Sequence, residues 1–104
     1  MIMYGLNPDT IRNIKQAFVK IDAIDKVILY GSRAKGNYRT GSDIDITLFG
    51  KDLTLENSVY PLMDELEELY LPYSFDISIF KHIDSQGLLD HIDRVGKVFY
   101  KKEK

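Results

Sequence analysis

Two short segments of the chain alternate polar and apolar residues with a period of two: Asp43-Ile44-Asp45-Ile46-Thr47-Leu48-Phe49 and Tyr73-Ser74-Phe75-Asp76-Ile77-Ser78-Ile79-Phe80. Successive side chains of a strand leave on opposite faces, so each segment reads as a strand with one face in a core and the other outside. That periodicity commits the chain to a sheet. It sends Asp43 and Asp45 out on one face together, and Asp76 and Ser78 likewise, while Ile44, Ile46, Phe75, Ile77 and Ile79 point inward. Aspartate is poorly suited to strands. Two carboxylates about 6–7 Å apart on one strand repel by on the order of 1–3 kcal/mol, depending on solvation, so a positive group is expected between them.

The remaining elements follow from capping and period. Asn7-Pro8-Asp9 reads as a helix start, with Asn7 as cap and Pro8 at the first helical position, and Ile11, Ile14, Phe18 and Ile21 fall at helical spacing, which predicts a helix over 8–22. Lys26-Val27-Ile28-Leu29-Tyr30 reads as a buried strand ended by Gly31. Residues 31–42, GSRAKGNYRTGS, hold three Gly and three cations without a carboxylate; this is loop chemistry, with room for one helical turn at 32–35. Leu55, Val59, Leu62, Met63, Leu66 and Leu69 predict a helix whose other face carries Glu56, Asp64, Glu65, Glu67 and Glu68. Pro61 within it predicts a kink or a helix that begins nearby. A last helix is expected over 85–95 with Gly96 as its C-terminal cap, then a short strand at 98–100. The order of elements predicts an α/β or α+β fold, a small mixed sheet backed by helices.

A chain of 104 residues buries about two-thirds of its surface on folding, enough for one core, so residues 1–104 are expected to form a single domain. With 14 Lys and Arg against 16 Asp and Glu, the net charge of -2 argues against a dedicated nucleic-acid binder. No apolar run approaches the ~18 residues that a membrane span needs, and the first residues lack a signal-peptide pattern. The sequence has no Cys, which excludes disulfides and thiolate metal sites. A cytoplasmic protein is expected.

A hard divalent cation with oxygen ligands answers the crowding of Asp43 and Asp45, and Mg²⁺ is commonly held by one or two carboxylates plus substrate phosphates. If the two alternating strands are neighbours, Asp76 joins the same face. At the end of the first strand, Gly31 permits a close backbone approach and Ser32 offers a hydroxyl and an N–H, a pocket suited to a polyphosphate. Arg33, Lys35 and Arg39 add positive charge in the same loop, and Arg33, nearest the Gly-Ser pair, is the one expected to contact phosphate. A metal clamp beside a phosphate cradle supplies the parts of phosphoryl or nucleotidyl transfer.

Gly31-Ser32, ten intervening residues, Asp43-Ile44-Asp45 and the later Asp76 in an apolar strand resemble the minimal nucleotidyltransferase (MNT) branch of the DNA polymerase β-like superfamily, and the resemblance covers most of the chain. It implies that Gly31 and Ser32 hold a nucleoside triphosphate. Asp43 and Asp45 would ligate two Mg²⁺ ions, with Asp76 completing the metal site and helping to deprotonate an attacking hydroxyl. It also implies ATP as substrate and a HEPN-domain ribonuclease toxin as partner, inactivated by transfer of AMP to a tyrosine. Two other functions are compatible with the residues: an antitoxin that neutralises by contact alone, and nucleotidyl transfer to a small molecule.

Plainer readings apply to other residues. Asp43 alone could cap a turn, and Gly31-Ser32 alone could simply end a strand. The acidic stretch 64–68 reads as the wet face of a helix. His82 and His91 have no companions at metal-ligand spacing and read as structural or surface residues. Tyr30, Tyr60, Tyr70 and Tyr73 sit in apolar patterns and read as core; only Tyr38, in the loop, is positioned by sequence to reach a nucleotide.

Overall fold

The computed structural model describes residues 2–103. The first helix, α1 (Pro8–Val19), starts as its capping residues require: Asn7 Oδ1 accepts the Thr10 N–H at 2.8 Å and Pro8 occupies the first turn. It stops three residues before the expected end, because the Ile21 N–H turns back to the Phe18 carbonyl (3.0 Å) and so delivers Ile21 and Ile24 into the core. Strand β1 (Lys26–Tyr30) follows, then the one-turn helix α2 (Gly31–Lys35), strand β2 (Ile44–Phe49), helix α3 (Tyr60–Glu67), strand β3 (Phe75–Ile79), helix α4 (Gln86–Val95) and strand β4 (Lys97–Lys101).

Pro61 is accommodated by a π-helical turn, Leu55–Val59, that runs straight into α3. The Tyr60 N–H donates to the Leu55 carbonyl, and Pro61, which has no N–H, falls in the first turn of α3, where a missing donor costs least. A reciprocal capping pair starts the turn: Thr54 Oγ1 accepts the Asn57 N–H and Asn57 Oδ1 accepts the Thr54 N–H. Gly96 does follow α4, donating its N–H to the Ile92 carbonyl, but at φ -63. Its need for glycine comes from crowding, since a Cβ would collide with the Ile92 carbonyl and with Ile28.

The sheet has the order β3-β2-β1-β4, with β1 antiparallel to both of its neighbours and β2 parallel to β3. A parallel pair demands a crossover, and α3 supplies it. One face carries Val27, Leu29, Ile44, Ile46 and Leu48, all fully buried against residues such as Phe18 and Leu62 of α1 and α3. Phe18 also meets Phe99 edge-on at 5.6 Å. Burial of such side chains contributes roughly 1.5–3 kcal/mol each, so the core fixes which face of β2 and β3 is left for chemistry.

Candidate active site

Register places three polar side chains in one row on that second face. Tyr30 pairs with Asp45, and Asp45 pairs with Asp76. Paired residues on adjacent strands lie about 5 Å apart and project from the same face, so the two predicted strands do bring Asp45 and Asp76 together. Asp43 sits one residue ahead of β2 and is exposed, yet it is close enough to act on Asp45 through its charge. The Ile44 N–H, bonded to the Ser74 carbonyl at 2.8 Å, locks this entrance to β2 against the entrance to β3.

The electrostatics match an uncompensated anionic site. The Asp45 carboxyl is pushed up to about 6, first by burial, then by Asp76 and Asp43. Burial also raises Tyr30, with the nearby Ser78 hydroxyl opposing it and Asp76 and Asp45 adding to it; among the described residues, buried Ser78 Oγ has no partner in full hydrogen-bond geometry. Among the described residues, however, no three His, Cys, Asp or Glu side chains are gathered closely enough to hold a metal ion between them. Asp45 and Asp76 are register partners, and Asp43 and Asp76 both act on Asp45 through their charge, so the three expected carboxylates stand on one face. The donor chemistry, all carboxylate oxygen, still fits a hard divalent cation.

At the end of β1 the chain turns sharply. Gly31 has φ +75, and a Cβ there would overlap the Asp45 carboxylate, so glycine is required both by conformation and by close approach. Ser32 follows in the first turn of α2, half-buried. The Gly31 N–H donates to Nε2 of His91 on α4 at 3.1 Å, a specific contact for a residue that the sequence reads only as structural or surface. The imidazole also stands edge-on to Tyr30, with ring centroids 6.1 Å apart.

Arg33 differs from expectation. Its side chain turns into the protein, with the residue 3% exposed. Nε and Nη2 donate to the Ser42 carbonyl (3.1 and 3.0 Å) and Nη1 donates to the Tyr4 carbonyl (2.9 Å), while Tyr73 and Tyr38 flank the guanidinium at 4.9 and 5.4 Å. A guanidinium committed to two carbonyls and two rings is not offered to a phosphate, and the expectation of a nucleotide contact is replaced by a bracing role for the loop that leads to Asp43. Tyr38 packs one side of its ring toward this guanidinium and is 38% exposed. Lys35 and Arg39 remain exposed. Of the tyrosines read as core, Tyr30 is buried and Tyr73 half-buried, but Tyr60 and Tyr70 are 50% and 90% exposed.

A groove of about 390 Å³ lined by Met63, Tyr70, Tyr73, Phe75 and Ile77 lies between α3 and β3. By strand alternation it opens on the opposite face of β3 from Asp76, so this apolar groove is not where the carboxylates are.

Comparison with known proteins agrees with this layout. The family model described as "Polymerase beta, Nucleotidyltransferase" matches residues 12–104. A protein of Methanocaldococcus jannaschii named as a protein adenylyltransferase is 29% identical over 77 residues, 72% of this chain and 78% of that one. A chain of a toxin–antitoxin crystal structure with AMP-PNP superposes with a TM-score of 0.66 and 21% identity, covering 94% of this chain and 76% of that chain. A second structure, of the tri-AMPylated Shewanella oneidensis HEPN toxin in complex with MNT antitoxin, gives a TM-score of 0.63 and 18% identity over 89% of this chain and 71% of that chain. These structural likenesses establish a shared fold. Among the described residues no helix is long and apolar enough to cross a membrane.

Proposed function

The chain belongs to the polymerase β nucleotidyltransferase family, and from that premise we propose that it is a Mg²⁺-dependent protein adenylyltransferase, the antitoxin of a pair whose toxin is a HEPN ribonuclease. The observation that carries the reading is the row Asp45–Asp76 beside the Gly31-Ser32 turn. In the proposed reaction a tyrosine hydroxyl of the toxin attacks the α-phosphorus of ATP. The new bond joins the tyrosine oxygen to phosphorus, the bond from that phosphorus to the β-phosphate oxygen breaks, and pyrophosphate leaves.

Asp43, Asp45 and Asp76 would hold the divalent ions, which when bound supply charge neutralisation for the triphosphate. Asp76, exposed at the row's outer end, takes the proton from the attacking hydroxyl. Gly31 lets the backbone approach the triphosphate closely, Ser32 orients it through its N–H and hydroxyl, and the exposed Lys35 and Arg39 add positive potential around it. The open face suits an acceptor carried by another protein, and the need for ATP puts the reaction in the cytoplasm.

The test is incubation with labelled ATP, Mg²⁺ and the product of the neighbouring gene. Label is expected on a tyrosine of that product, and transfer should fall at least a hundredfold in Asp43→Asn and Asp45→Asn, the scale of losing a charge-stabilising group. Undiminished labelling by both variants would sink the mechanism. Full toxin neutralisation by both variants at native expression would mean that contact alone does the work.

A further inference from the structure

The histidine on α4 gives the Gly31 turn a support that the sequence does not announce. Gly31 is the point at which β1 stops and α2 begins, in a left-handed conformation and hard against the Asp45 carboxylate. A rotation of its peptide plane would therefore disturb the turn and the carboxylate together. The direction of the Gly31 N–H is set by one acceptor, His91 Nε2, which arrives from sixty residues away in sequence. Accepting at Nε2 requires the tautomer whose N–H is Nδ1. The imidazole is half-buried, and its edge-to-face seat on Tyr30 restricts its rotation.

We propose that His91 is a positioning residue of the nucleotide site, holding the Gly31 peptide so that the turn beginning there faces the triphosphate at a fixed distance from Asp45. His91 touches no reacting atom in this scheme; it acts through Gly31. The proposal rests on the nucleotidyltransfer reading above. It also assigns a cost to the loss of an acceptor, as distinct from the loss of a ring. His91→Leu keeps apolar bulk against Tyr30 but accepts nothing, whereas His91→Gln places a carbonyl oxygen near the position of Nε2.

Two measurements test it. The first, independent of activity, is hydrogen exchange at the Gly31 amide: protection should fall at least tenfold in His91→Leu and return largely in His91→Gln. The second is titration with a non-hydrolysable ATP analogue and Mg²⁺, alongside transfer kinetics. In His91→Leu, affinity should fall at least fivefold and the KM for ATP should rise by more than kcat falls, with His91→Gln recovering most of both. Unchanged affinity in His91→Leu despite lost Gly31 protection overturns the proposal, as does a Gln variant no better than Leu in either measurement. A wild-type chain that binds no ATP analogue overturns the functional reading, and this proposal with it.

Discussion

Asp45 and Asp76 are registered partners across the parallel pair β2–β3, with Tyr30 of β1 extending the row on the other side of Asp45. Two carboxylates and a phenol thus share one strip of the sheet, and burial together with Asp76 and Asp43 brings the Asp45 carboxyl up to about 6.

This juxtaposition has a defined pH signature. Asp45 ionises at 3.8 in its unperturbed state and at about 6 in the fold. Between those values the native chain holds a proton that the unfolded chain has released, so the stability contributed by Asp45 is present below 3.8 and is lost as pH rises through about 6. Asp45→Asn should therefore raise the Tm of the metal-free protein at about pH 7.5 by roughly 5 °C, about 1 kcal/mol once solvent screening at this half-exposed site is discounted. At about pH 4 the gain should shrink toward zero. Thermal melts at the two pH values check this, and an equal effect at both contradicts it.

Substitution of Gly31 separates strain from collision. Gly31→Ala meets both a left-handed φ and the Asp45 carboxylate, whereas Gly36→Ala meets a φ of +97 with open space around the new methyl. Left-handed strain alone costs roughly 1–2 kcal/mol, so Gly36→Ala should lose about that much. Gly31→Ala should lose at least about 1 kcal/mol more, the scale of overpacking. Urea midpoints at constant m-value give the comparison. Comparable losses for the two variants would mean that Asp45 moves aside freely.

Arg33 is expected to behave as a structural tie. Arg33→Met retains the apolar stem but leaves the Ser42 and Tyr4 carbonyls without their donors, for a loss of about 2–4 kcal/mol. Arg33→Lys should recover little, because a single ammonium cannot match a fork that reaches both carbonyls between two rings. Denaturant unfolding measures the loss. A lysine variant as stable as the parent, but weakened in ATP-analogue binding, would restore the phosphate-contact role.

How far the site can be read from sequence depends on whether local period or long-range packing decides it. Ile44, Ile46 and Leu48 alternate with Asp45 and Thr47, so β2 and its buried face are legible from spacing alone. The pairing of Asp45 with Asp76 is not, because it depends on the register set by the crossover through α3. The Gly31 glycine is legible as a turn, but its overlap with Asp45 needs the β1–β2 pairing. Arg33 misleads because charged side chains are seldom buried, and only the Ser42 and Tyr4 carbonyls make its burial affordable. Tyr70 misleads for another reason: α3 ends at Glu67, and Tyr70, at φ +52, leaves the helical phase and projects outward. His91 carries no local signal at all, since its one informative contact lies sixty residues away.

A cation bound among the carboxylates should stabilise the fold by mass action, and the size of that effect can be computed. A ligand that binds only the native state at a hundred times its Kd adds about 2.7 kcal/mol, which for a domain of this size is a rise of roughly 10 °C in Tm. Mg²⁺ with a non-hydrolysable ATP analogue should produce a rise of this order at about pH 7.5. The rise should shrink below about pH 6, where Asp45 takes up a proton that competes with the metal. Asp45→Asn should abolish it although the variant is the more stable protein without ligand, an inversion that separates loss of a binding group from loss of the fold. Differential scanning calorimetry with and without the ligands reads both quantities in one series. An Asp45→Asn variant stabilised as much as the parent by the ligands would show that this carboxylate does not hold the metal.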